Sequence, residues 1–121
     1  MPIYSHKDLV VWQKGILLCK AVYGLTEKFP KSEIYGITSQ MRRSAVSIPS
    51  NIAEGRSRNT TKDFLHFLSI ALGSASELET QIEIAKQLSY VDLQEYLEVD
   101  QLLSEVSKMT MGLMKKLDAK I

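Results

Sequence analysis

The residues best suited to recognition chemistry fall in one run, Arg42-Arg43-Ser44-Ala45-Val46-Ser47-Ile48-Pro49-Ser50-Asn51-Ile52-Ala53-Glu54-Gly55. Read in steps of three or four, as along one side of a helix, Arg43, Ser47, Asn51 (or Ser50), Glu54 and Arg58 make a line of polar groups beside an apolar stripe. Serine and asparagine are weak helix formers that compete for backbone hydrogen bonds. A row of them points to a fixed hydrogen-bond network, with Ser47, Asn51, Glu54, Ser74 and Glu77 as its expected members. Buried polar groups need partners. These are expected on the following helix (Ser74, Glu77 or Gln81), on a second protomer, or on a phosphate backbone. Around the line stand Arg42, Arg43, Arg56, Arg58 and Lys62. They are the candidate nucleic-acid contacts, since Arg and Lys neutralise phosphates without reading sequence.

Other chemistry finds little support. Helical bundles hold di-iron centres with Glu-x-x-His motifs. The histidines here are His6 and His66, and neither sits in that motif. Cys19 has no histidine partner in a recognisable nucleophile motif, and it falls in an apolar stripe where a small core residue is expected. Phosphate-binding glycine loops, dinucleotide fingerprints and nucleophile elbows are missing. The expectation is a protein that is not an enzyme, with no metal and no cofactor.

Four helical stretches must position the polar line, at about residues 7–29, 33–56, 61–88 and 93–118 of a single domain, 1–121. In the first, Leu9, Trp12, Ile16, Cys19 and Tyr23 form one apolar stripe, and Val11, Gly15, Leu18, Val22 and Leu25 a second. A helix apolar on so much of its circumference is expected to be covered on more than one side, a sign of self-association. Phe29-Pro30 should end it. Ser32 is the expected N-cap of the second stretch, whose core stripe is Ile34, Ile37, Met41, Ala45, Ile48 and Ile52. Pro49 predicts a bend there, and Gly55 a helix terminus or flexible point. The third opens with a Thr60/Asp63 cap and carries a near-heptad seam, Phe64, Leu68, Ala71, Ala75, Leu78, Ile82 and Ala85. The fourth opens with Asp92 and Glu95 as a similar cap, and its seam runs from Tyr96 through Val99, Leu103, Val106 and Thr110 to Leu113 and Leu117. Short connections between such helices give antiparallel neighbours, hence an all-α, up-down four-helix bundle.

The net charge of +1 conceals a strong asymmetry. Residues 40–62 carry five bases against one acid, and residues 77–105 carry eight acids against one base. Such a distribution steers anionic partners, or docks one copy of the chain on the next. A polar start, a lone cysteine and no apolar run near the roughly 20 residues of a membrane span predict a cytoplasmic protein with no membrane contact.

On Asp8-Leu9 with Trp12, Arg42-Arg43-Ser44, the Ser47-to-Gly55 run, Arg58, Phe64-Leu65, Ala71, Gly73-Ser74 and Glu77-Leu78-Glu79, the chain resembles a known bacterial family. These are the four-helix bundle proteins found as open reading frames in 23S ribosomal RNA intervening sequences, with the accessory variability determinant of diversity-generating retroelements among them. The resemblance covers nearly the whole chain. It implies an up-down bundle assembling as a ring-like homo-oligomer, a homopentamer, with no catalytic residues. In the retroelement branch it implies contact with nucleic acid and a reverse transcriptase. The leading expectation is a non-enzymatic oligomeric scaffold touching RNA, a ribonucleoprotein or a nucleic-acid-processing protein. The alternative is a protein–protein assembly module in which the basic 40–62 surface of one copy meets the acidic 77–105 surface of another.

Overall fold

In a computed structural model, which describes residues 5–120, the chain forms four α-helices: α1 (Val10–Thr26), α2 (Ile37–Arg56), α3 (Thr61–Gln87) and α4 (Leu97–Asp118). Short 3-10 turns at His6–Asp8, Lys31–Glu33 and Leu93–Tyr96 precede α1, α2 and α4, and no strand occurs among the described residues. Each helix packs on its chain neighbours, and α4 closes against α1. The side-chain pairs show the directions. As α2 advances from Ser44 to Ser47, its partners on α3 retreat from Glu77 to Ser74. Lys14 of α1 and Lys28 just beyond its end meet Glu105 of α4 and Glu95 just before its start, in the same reversed order. The fold is therefore an up-down bundle with neighbours antiparallel.

Heptad-like spacing explains the core. From α3, Leu68, Ala71, Ala75, Leu78, Ile82 and Ala85 are buried, and they meet Met41, Ala45, Ile48 and Ile52 of α2 and Val99, Leu103 and Val106 of α4. On α1 only the second stripe goes inside: Val11, Gly15, Leu18, Val22 and Leu25. The first stripe is corrected to a flank, with Leu9, Trp12 and Cys19 half-buried and Ile16 and Tyr23 exposed. Gly15 decides this rotation. With no side chain there, α1 comes so close to α2 that a Cβ would stand 3.2 Å from the Pro49 Cβ. Pro49 itself is buried, and α2 continues through it as helix.

Gly55 is not a hinge but a second close approach, inside the last turn of α2. A Cβ at this position would fall 2.8 Å from the Phe67 Cβ and 2.9 Å from the Phe64 Cδ1. Overpacking costs about 1–3 kcal/mol, against a gain of about 1 kcal/mol in helix propensity on replacing glycine. Gly55→Ala is expected to lower the melting temperature. Gly112→Ala, where a Cβ meets nothing within 4 Å, is expected to raise it. Calorimetry of the two variants checks the contrast, and equal shifts would refute the close approach.

The connectors differ most from expectation. The first helix stops at Thr26, short of Phe29-Pro30, because Phe29 turns into the core. There its ring lies 5.5 Å from that of Tyr90 and 6.5 Å from that of Tyr96. Ser32 falls in a 3-10 turn rather than capping α2, which starts after Gly36 without a side-chain cap, and Ile34 is exposed. Asp92 precedes a 3-10 turn and makes no capping bond, and α4 proper begins at Leu97. The Thr60 cap does form, its hydroxyl oxygen accepting from the Asp63 N–H at 3.1 Å. At the end of α3, Ser89 takes a left-handed φ of 59°. The Tyr90 N–H then donates to the Ala85 carbonyl and the Ser89 N–H to the Lys86 carbonyl. This is the Schellman pattern with serine in the usual glycine position. It aims Tyr90 back across the end of the bundle, where its hydroxyl donates to Glu33 Oε2 at 2.6 Å. No helix among the described residues is long and apolar enough to cross a membrane.

Candidate functional site: the polar and basic face of α2

Of the residues expected in a polar network, Ser47, Asn51, Ser74 and Glu77 make hydrogen bonds within α2 or across the α2–α3 seam. Ser47 and Ser74 share a hydrogen bond of 2.8 Å across the α2–α3 seam. Asn51 stays within α2, its Nδ2 donating to the Ser47 carbonyl and to Ser47 Oγ at 2.8 and 2.9 Å. Glu77 accepts from the buried Ser44 hydroxyl at 2.6 Å, a charge-assisted bond. Ser44 was not among the expected members. The signal for it was the matched spacing of three residues, Ser44 to Ser47 against Ser74 to Glu77. Gln81 is buried, but its Oε1 accepts no hydrogen bond among the described residues. Glu54 lies outside the network and pairs with Arg58 at 2.9 Å.

The five candidate cations do not form one patch. Arg42 and Arg56 are 14 residues apart on α2, which at a rise of 1.5 Å per residue separates them by about 21 Å. At one end, Arg42 is largely committed within the chain. Its Nε donates to Thr26 Oγ1 at 2.9 Å, it pairs with Glu27 at 3.3 Å, and its guanidinium lies 4.5 Å over the Tyr23 ring. Arg43 beside it is exposed and has no ion pair among the described residues.

At the other end, where the α2–α3 connection turns, Arg56, Arg58 and Lys62 gather. Arg58 is held by Glu54 and covers the Phe67 ring at 4.8 Å. Arg56 and Lys62 are in no ion pair among the described residues. Antiparallel packing adds α4 to this end. Lys62, His66 and Lys115 line one shallow depression with Ser69, Met114 and Asp118. The lysines late in α4 suit its helix dipole, but only the three-dimensional arrangement brings Lys115 beside Lys62. No three His, Cys, Asp or Glu side chains among the described residues group as a metal site. Cys19 is half-buried, its thiol donating to the Ala45 carbonyl at 3.1 Å, and burial pushes its pKa up to about 11.

Comparison with known proteins now bears on this surface. Residues 7–112 match the family model described as 23S rRNA-intervening sequence protein. The chain belongs to that family. Its fold also resembles the crystal structure of a protein of unknown function from the S23 ribosomal protein family of Bacteroides thetaiotaomicron. That structure is 25% identical over 88% of this chain and 99% of the other, with a TM-score of 0.79. No curated protein matches significantly. The family match takes in all five candidate cations and the whole α2–α3 network.

Proposed function

We propose that this family member is a non-enzymatic, cytoplasmic assembly protein that contacts structured RNA through the basic end of its bundle. One observation carries the reading. Lys62 shares a depression with Lys115 beside the α2–α3 turn, and Arg56, at the end of α2, and Lys62 are both free of ion pairs among the described residues. The family description, which refers to 23S rRNA intervening sequences, supports testing RNA first. The patch is small, so single-chain binding is weak, and assembly multiplies it into avidity. Val10, Ile16 and Leu17 support self-association, because these large apolar side chains stay about half exposed on α1. A homopentameric ring is the proposed form, and the solution mass tests it.

Anisotropy titration of a folded ribosomal RNA hairpin across a salt series tests the RNA contact. Three or four phosphates neutralised per chain give a slope of log K against log salt of about −2 to −4. Binding that is absent at low ionic strength, or indifferent to salt, would overturn the reading. The pure protein-docking alternative is less favoured. Of the eight acids in 77–105, Glu77, Glu83, Glu95, Asp100 and Glu105 already have partners within the chain.

A further inference from the structure

At the other end of α2 the seam with α1 opens into a groove of about 500 Å³, within the roughly 300–1,000 Å³ range of sites for small organic ligands. Its composition differs from that of the basic end. Tyr23, Ile34 and Val46 line it and stay 45%, 46% and 43% exposed, forming apolar walls open to solvent. Arg42 is stacked on one face of the Tyr23 ring and pinned by Thr26 and Glu27, so the guanidinium is held with little freedom. Arg43, exposed and without an ion pair among the described residues, and Ser39 also line the groove.

Each simpler ligand leaves part of this set unused. An inorganic anion would employ Arg43 and Ser39 but gain nothing from the walls. An apolar side chain would fill the walls but leave the guanidinium idle. A planar heterocycle bearing a phosphate uses all of it, with the ring stacked on the outer face of the guanidinium that Tyr23 holds, its edges against the apolar walls, and the phosphate on Arg43. The geometry points to a binding site for one unpaired nucleotide of an RNA. The site rests on the RNA reading above and makes it specific. A paired base inside a duplex cannot enter the groove, so the protein favours RNA with a loop, bulge or free strand at this position.

The test uses the full chain and three fluorescein-labelled probes of equal length: a 12-nucleotide oligoadenylate, the same ribose-phosphate strand without bases, and a duplex. The expected result is binding of oligoadenylate about tenfold tighter than the abasic strand. Tyr23→Leu, which keeps an apolar side chain, and Arg43→Gln should each reduce that preference towards unity with the helical circular dichroism unchanged. Equal binding of the two strands by the wild type, or a preference that survives both substitutions, overturns the nucleotide site while leaving RNA contact at the basic end intact. No binding of any RNA overturns both readings. A fall in solution mass caused by Tyr23→Leu would instead make the groove a contact between copies, and would also overturn the site.

Discussion

Truncating Tyr96 to alanine should cost about 3–5 kcal/mol, the range for removing a buried aromatic ring, as read by urea denaturation. Tyr96 is the largest fully buried side chain among the described residues. It packs with Phe29, and its hydroxyl donates to the Tyr90 carbonyl. Tyr96→Phe should cost less, about 1–3 kcal/mol, by leaving that carbonyl without its donor. The phenylalanine variant also isolates a pH effect. Burial, and secondarily the negative charge of Asp100, push the Tyr96 phenol from 10.0 up to about 12. The folded protein thus retains a proton that the unfolded chain releases, and stability falls as pH climbs through the window from about 10 to 12. In that window the stability curve of Tyr96→Phe should be flatter than that of the wild type. Parallel curves would contradict the assignment.

Removing two charges at the basic end should change RNA binding more than any other surface substitution. In Arg56→Gln/Lys62→Gln the affinity for a structured RNA at low salt should fall at least about tenfold, and the salt slope should shrink by about 2, one unit for each lost phosphate contact. Arg42→Gln should leave the slope nearly unchanged, because its charge is already engaged by Glu27 and Tyr23. A double variant with the wild-type slope would exclude the basic end from the interface.

The repeating parts of the bundle were legible in the sequence because a heptad-like seam and a helix share one period. The α3 seam from Leu68 to Ala85 is buried as its spacing required, and Thr60 caps where a threonine three residues before an aspartate should. Reading failed where long-range packing competes with local signals. Phe29 and Tyr90 belong to different connectors, and their contact across the end of the bundle draws both connectors away from the expected caps at Ser32 and Asp92. The two stripes of α1 look alike in one dimension, and only the missing side chain at Gly15, facing Pro49, selects between them. The polar line was legible as a network, but its partners depend on the α2–α3 register, which sets Ser44 opposite Glu77. The basic patch was legible only as composition. A helix spreads neighbouring charges along its axis, so Arg42 and Arg56 lie apart while Lys115 arrives from the far end of the chain.

The single thiol makes the bundle its own stopwatch. Cys19 closes the α1–α2 seam against the Ala45 carbonyl, and its raised pKa leaves almost none of it as thiolate near neutrality. Alkylating reagents therefore react slowly with the folded chain, and any lifting of α1 away from α2 speeds the labelling, so the rate reports on that one helix pair.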